Sequence, residues 1–326
     1  MRGVEAKANE DRAVFGIVLM LLAYFWFSFI DTSAKWLALY GFPVFQIVFM
    51  RYLAHLVISM GMIAKDGFEL SRFGTEKPGL VILRGALVLG STIFNFIAVR
   101  YLPLTLTSTI LFSAPIIVCA LSGPLLGEKV GLWRWSAIFA GFVGIVVAIR
   151  PFDASFHWAV FLSLGAAACF SFYLILTRKL AGVVASGTMQ FYTGAVGALA
   201  LAPLAFATWR MPETAFEWVV LVMIGFFGWI GHEFLTRAHG FAPASTLTPF
   251  AYSFILYLTV WSVFVFNQLP DRWTIIGAAI IVASGMVIWF RERKLGLRTA
   301  AARQVYPTPA LSPDAPINAA PPPERD

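Results

Sequence analysis

Several sets of polar side chains interrupt stretches of this chain that are otherwise apolar, and each set has a chemistry open to it. Asp31 and Lys35 stand four residues apart in the run FIDTSAKWL, so both fall on one face of a helix. They can pair with each other at a lipid headgroup surface, or serve as a gate or a charge offered to a substrate. Arg51 and His55 are again four apart in the next apolar run, with Arg51 nearest its middle. A guanidinium there must find an acid, helix-end carbonyls, water or the anionic part of a ligand. His232 and Glu233 occupy a third run, with Arg237 one turn beyond Glu233. Glu233 in a low dielectric suits proton coupling or cation binding; a Glu233–Arg237 salt bridge near the surface is the competing reading.

Two hydroxyl-rich turns, Thr105-Thr107-Ser108-Thr109 and Ser245-Thr246-Thr248, open two further runs. Hydroxyls inside helices ordinarily donate to the carbonyl one turn back. Helix starts aimed at a cavity can instead hold an anionic group through backbone N–H groups and the helix dipole. Pro115 and Pro249 would bend these helices and free carbonyls for ligands or gating. Asn95, Tyr101 and Tyr252 would line the same space, and Trp26 and Trp229 would stack on an aromatic substrate, unless these rings only pack or face lipid.

Catalytic sets are harder to find. With four His in all, no HExxH and no Gly-x-Ser-x-Gly, the chain offers no nucleophile–base pair and no metal-ligand set. Cys119 and Cys169 lie inside apolar runs and read as small hydrophobes. There is no GxxxxGK[ST] phosphate loop, so an ATP-driven pump is not expected, and no cofactor is implied.

The elements that would carry these residues are set by composition. The 326 residues are 59% hydrophobic and 13% charged, with 31 Phe and 11 Trp. A soluble domain carries about 25% charge, so lipid is the solvent implied. The net charge of +7 is spread singly or in pairs between apolar runs, which fits loops at a headgroup surface and excludes a nucleic-acid stripe. Ten runs are long enough to span, at approximately 13–36, 43–63, 79–99, 102–122, 132–149, 156–177, 187–208, 216–238, 242–266 and 273–290. Pro103 and Pro243 mark helix starts after very short turns. The first run exceeds a signal-peptide core and reads as an uncleaved span.

With the N-terminus in the cytoplasm, sixteen Lys and Arg of loops and helix ends fall inside and five outside, so both ends are expected in the cytoplasm. Residues 293–326, rich in Ala and Pro, read as a disordered cytoplasmic tail, and 1–12 as a short cytoplasmic segment. The remainder divides into 13–150 and 151–292. Five spans per half is an odd number, so the second copy would enter the membrane inverted. A shift of 140 residues superposes Pro103 on Pro243, Ser108 on Thr248, Phe112 on Tyr252, Ser113 on Ser253 and Trp133 on Trp273; a shift of 144 superposes Lys35 on Lys179 and Gln46 on Gln190. The charged sets break this symmetry, with Asp31 opposite Ile175 and His232-Glu233 opposite Thr92-Ile93. The expected fold is therefore all-α and integral to the membrane, ten transmembrane helices as two inverted five-helix repeats.

Two pairs of segments carry a resemblance. RYLPLTLTSTILFSAPI with LLGEKVGLWRWSAIFAGFVGIVVAIRP in the first half, and GFAPASTLTPFAYSF with NQLPDRWTIIGAAIIVASGMVIWF in the second, resemble the EamA-type branch of the drug/metabolite transporter superfamily over roughly residues 14–292. The resemblance implies a central cavity that opens alternately to each side and a substrate among amino acids, nucleotide-derived metabolites, vitamins and drugs. One departure is visible: Asn267-Gln268 stands where the first half has Gly127-Glu128, so any role needing two symmetric acids is in doubt.

The expectation is a secondary transporter of a small polar metabolite in a bacterial inner (plasma) membrane, and not an enzyme. Its partners are a small-molecule substrate and the bilayer, with homodimerisation open. Glu233, His232, Asp31, Arg51, Asn95, Tyr252, Trp26, Trp229, Thr105 and Ser245 are the candidates for binding or coupling. A membrane receptor, scaffold or channel is the alternative, and an intramembrane enzyme the remoter one.

Overall fold

The computed structural model describes residues 2–65, 74–114, 116–118, 120–121, 132–154, 156–180, 183–241, 247 and 250–305. Among the described residues all regular structure is helical. The helices are α1 (Arg2–Leu39), α2 (Val44–Lys65), α3 (Pro78–Tyr101), α4 (Leu104–Leu111), α5 (Leu132–Ile149), α6 (Val160–Leu180), α7 (Ser186–Ala207), α8 (Ala215–Phe241), α9 (Ser253–Phe266) and α10 (Arg272–Val305). Seven are long and apolar enough to cross a membrane, with spans inside α1, α2, α3, α6, α7, α8 and α10; shorter apolar helices cover Leu104–Val118, Trp135–Ile149 and Ser253–Phe266. Contacts divide the chain into Met1–Trp289 and Phe290–Asp326, and the packing below concerns the first unit.

Local chemistry sets the helix ends. Gly41, at φ +86°, makes the turn from α1 to α2. Pro78 occupies the first turn of α3, and Pro103 precedes α4 where the missing N–H is not needed. Thr214 and Glu217 form a capping box on α8: the Thr214 hydroxyl accepts the Glu217 N–H at 3.2 Å while the Glu217 carboxylate accepts the N–H of Thr214 at 3.2 Å. Asp271 caps α10, its carboxylate accepting the N–H groups of Trp273 and Thr274 at 2.9 and 3.1 Å. Asn267 ends α9 in the left-handed region at φ 52°. Asparagine tolerates that conformation better than other non-glycine residues, which accounts for Asn where the first half has Gly127.

Three boundaries differ from expectation. The continuous helix of α4 stops at Leu111, with turn at Phe112 and Ser113 just ahead of Pro115, rather than running unbroken to residue 122. A proline inside a helix cannot bond the carbonyl four residues back and its ring clashes with it, which puts the break at Leu111, upstream of Pro115. The second-half counterpart of Phe112, Tyr252, is also a turn residue, immediately before α9. At the other end α10 continues to Val305, so residues 293–305 are helical and not the disordered tail expected from 293 onward. KLGLRTAAAR is rich in strong helix formers, and Pro307 is the first proline after them. Pro243, Pro115 and Pro249 lie outside the described residues.

The helices pair across the chain's midpoint. α1 packs along α8, α2 along α7 and α3 along α6; α2 also meets α8, α3 meets α7, α1 meets α9, and α4 meets both α9 and α6. The main core joins Ile30, Ala34, Ile47, Tyr52, Leu89, Phe96, Leu201 and Ile224 from α1, α2, α3, α7 and α8. Small residues permit this approach. A Cβ at Gly197 would stand 2.3 Å from the Tyr52 ring, and one at Gly225 would stand 2.3 Å from the Ala54 Cβ.

At one end of the bundle, the closed end, the connections are tied to one another. Lys35, 2% exposed, donates to the Leu102 carbonyl at 2.9 Å and to Gln268 Oε1 at 2.7 Å, joining α1 to the α3–α4 and α9–α10 turns. Arg150 lies 3.5 Å from Asp271. Tyr101 stacks on His157 with ring centroids 5.4 Å apart. The Gln46 side chain accepts the Arg210 N–H at 2.9 Å and donates to its carbonyl at 2.8 Å, and the Arg210 guanidinium donates to the Tyr40 carbonyl.

Candidate substrate-binding site

α1, α2, α3 and α8 bring a polar cluster together within the apolar bundle. Arg51 lies on α2, and its Nη1 donates to the Thr92 hydroxyl of α3 at 2.7 Å. The Tyr52 hydroxyl stands 2.9 Å from the same Thr92 oxygen. One turn further along α3, the Asn95 amide donates to Asp31 Oδ1 at 3.1 Å. His55, four residues after Arg51, faces His232 of α8 with ring centroids 5.9 Å apart, and the Gln190 side chain of α7 lies beside it. The Phe27 ring, four residues before Asp31, closes on His232 at 4.9 Å. Helical periodicity explains the set: Phe27 and Asp31, Arg51 and His55, and Thr92 and Asn95 are each three or four apart, so each helix turns one face to the centre.

This cluster is only partly satisfied. Arg51 Nε and His55 Nε2 are buried without a hydrogen-bond partner. Arg84, near the other end of α3, shows what a structural arginine looks like in the same bundle. Its guanidinium donates to Thr177 at 2.7 Å, the Met189 carbonyl at 3.3 Å, Thr193 at 2.9 Å and Tyr173 at 2.8 Å. Arg84 is a buried tie between α3, α6 and α7, where a snorkelling anchor is the reading its position in the sequence suggests. Arg51 has only the hydroxyls of Thr92 and Tyr52 and two ring faces, those of Tyr52 and Phe96 at 5.0 and 6.0 Å. A buried donor left unmade costs about 1–3 kcal/mol, more when charged, so Arg51 holds binding capacity that the fold does not use.

The other expected residues are distributed as follows. Asp31 and Lys35 do not pair with each other; Asp31 takes Asn95 and Lys35 takes Leu102 and Gln268. Spacing puts both on one face, and stronger partners from distant helices then draw them apart. Glu233 holds Arg237 Nε at 2.7 Å, with the two side chains 31% and 61% exposed. Tyr252 is buried against Phe112, centroids 5.4 Å apart, with its hydroxyl unpartnered and lying over Gly285. Tyr24 connects Phe27 to Phe112, at 5.8 and 6.3 Å, so an aromatic path runs from His232 toward Tyr252. Trp26 lies about 140° round α1 from Asp31 and stacks on Phe227 at 5.7 Å, away from the cluster. Trp229 tilts against Phe226 at 6.3 Å.

Thr107, Ser108 and Thr109 donate to carbonyls three or four residues back, at 3.0, 3.0 and 2.7 Å. Thr105, 2% exposed, keeps an unpartnered hydroxyl at the start of α4. Ser245 lies outside the described residues. Among the described residues no group of three His, Cys, Asp or Glu could hold a metal ion. Tyr52, Thr92 and Gln268 were not among the candidates. Thr92 shares the Asn95 face by spacing and could have been found there; nothing local to Gln268 indicates Lys35.

Residues 14–150 and 157–290 match the EamA-like transporter family. The S-adenosylmethionine uptake transporter of Rickettsia prowazekii is 26% identical over 280 residues, covering 86% of this chain and 94% of that one. The riboflavin transporter of Vibrio cholerae is 27% identical over 289 residues, covering 87% and 95%. A solved crystal structure with 20% identity superposes with a TM-score of 0.58, covering 85% of this chain and 96% of its own, which shows a shared fold. The apolar helices, the polar cluster enclosed by four of them and the two family matches lead to one assignment: this chain is an integral membrane protein that belongs to the EamA-like transporter family, a family of transporters and not of enzymes.

Proposed function

We propose that the protein is a secondary carrier that moves a small polar metabolite by alternating access, with the Asp31–Arg51–His55–Asn95–His232 cluster as its central site. The observation that carries this reading is the incompletely bonded Arg51 and His55 at the meeting of α1, α2, α3 and α8. A scaffold has no use for buried donors without acceptors, whereas a carrier must release its ligand and so must tolerate them when empty.

The packing supports two inverted repeats, residues 13–150 and 151–292. Exchange α1–α5 for α6–α10 and the α1–α8 contact becomes α6–α3, α2–α8 becomes α7–α3, and α1–α9 becomes α6–α4; α2–α7 and α4–α9 return to themselves. Each product is a contact the helices make. Phe112 and Tyr252, paired by the 140-residue shift, touch at the α4–α9 crossing. The reading is completed by ten spans with both termini in the cytoplasm of a bacterial inner membrane, an orientation supported by the bias of Lys and Arg, and the end tied by Lys35 is then the outer one. Reconstituted protein should give saturable uptake and counterflow of a preloaded metabolite. Non-saturating conductance would make it a channel, and no flux of any probe would make it a receptor or scaffold. Cysteines placed at the two termini should label from the same, cytoplasmic side.

A further inference from the structure

We infer that the ligand of this site is a zwitterion carrying a cationic amine and a carboxylate, the carboxylate held by Arg51 with His55 and the amine by Asp31. This rests on the carrier reading above and adds the chemical class to it. Three observations converge. First, the cluster holds one acid and one guanidinium, from different helices, and each is tethered by neutral side chains only: Asp31 by Asn95 at 3.1 Å, Arg51 by Thr92 at 2.7 Å and by the Tyr52 hydroxyl beside it. Second, Asp31 feels the charge of Arg51, yet the two form no ion pair among those present in the described residues. Opposite charges within reach in a low dielectric would close on each other unless their tethers hold them apart, and Asn95 and Thr92, one turn apart on α3, do so. Third, the unused groups are of the kind a carboxylate takes. Arg51 Nε and His55 Nε2 are buried and unpartnered, and His55 is 6% exposed. A planar guanidinium with a free edge receives a carboxylate through two parallel N–H bonds.

A zwitterion inserted between the tethered charges satisfies both, and it carries no net charge into the bilayer. An anion alone would leave Asp31 facing a like charge, and an amine alone would leave Arg51 facing one. Of the other buried cations in the bundle, Lys35 and Arg84 each already spend their donors on carbonyl, amide or hydroxyl acceptors, so the selectivity belongs to this cluster. Phe27 and Tyr24 on the same face of α1 supply apolar wall for the remainder of the ligand.

The test uses purified full-length protein in nanodiscs and matched probes: the standard amino acids and S-adenosylmethionine, their decarboxylated amines, and their deaminated acids. Thermal stabilisation by at least one zwitterion is expected, with either singly charged counterpart bound on the order of 100-fold more weakly. Arg51→Gln should remove the preference for the zwitterion over the amine, and Asp31→Asn the preference over the acid, with Arg51→Lys as the variant that keeps the charge. A purely structural role would weaken every probe alike in each variant, and that result overturns the inference. So does a panel in which no zwitterion stabilises the protein, or in which amines or acids bind as well. Flux distinguishes the two readings: saturable, Arg51→Gln-insensitive transport of a probe lacking one charge sinks the zwitterion site and leaves the carrier standing, whereas selective zwitterion binding without counterflow does the reverse.

Discussion

At the residue scale, i,i+4 spacing identified the faces and missed the partners. Arg51 with His55 was legible because both belong to one helix turn. Of the two readings open for Asp31 and Lys35, mutual pairing does not hold, since their partners Asn95, Leu102 and Gln268 lie far along the chain. Glu233 has its partner one turn away. Its carboxylate is taken by Arg237 at 2.7 Å in a part-exposed position, and such pairs contribute at most about 1 kcal/mol. Glu233→Gln is expected to leave both the rate of transport and its pH dependence essentially as in the parent. Loss of pH-dependent uptake in that variant would return Glu233 to the coupling machinery.

At the scale of the element, apolar length gave the helices and turn chemistry their ends. α5 was bounded correctly at 132–149 and the membrane span of α10 at 273–290, while α4 was not, and the helix of α10 runs on beyond its span. α4 is broken next to Pro115, where length counting sees only a continuous apolar run, and α10 persists until its helix formers run out. The cap on α10 makes a sharper expectation. Burial alone would push the Asp271 carboxyl up, but bonds from the Thr274 hydroxyl, the Thr274 and Trp273 N–H groups and the charge of Arg150 outweigh it and hold it below the ordinary carboxylate value. A group so depressed stabilises the fold above its unfolded value, near 3.9, and loses that contribution as pH falls through the folded one. Asp271→Ala should therefore cost about 1 kcal/mol at neutral pH. The gap to the parent protein, followed by melting in detergent, should narrow only once the pH drops below about 4. A gap that is constant across that range would mean the cap does not act through its charge.

At the scale of the whole molecule, composition was enough to give a helical membrane protein, and a pair of motif segments its family. Which helix touches which was not legible, because side chains facing lipid and side chains facing another helix are equally apolar. The closed end depends on a contact of that invisible kind. Lys35 ties α1 to turns in both halves of the chain, so a carrier must break its bonds to Leu102 and Gln268 to expose the site on that side. Lys35→Met keeps the stem and removes the donors. It should speed modification of a cysteine placed at Ser28, one turn before Asp31, from the side of the closed end, by several-fold; an unchanged labelling rate would show that Lys35 is not what holds that end shut.

The pairing of α1 with α8 and of Lys35 with Gln268 also bears on how the chain is made. During synthesis the first helix enters lipid and then waits while α2 to α7 follow it, with its chief neighbour still unborn. Its ammonium receives Leu102 once α3 has emerged, and its second acceptor only after α9. A nascent chain stopped short of residue 268 thus leaves the Lys35 ammonium without one of its two acceptors, and only the α9–α10 turn, made near the end of synthesis, completes the set.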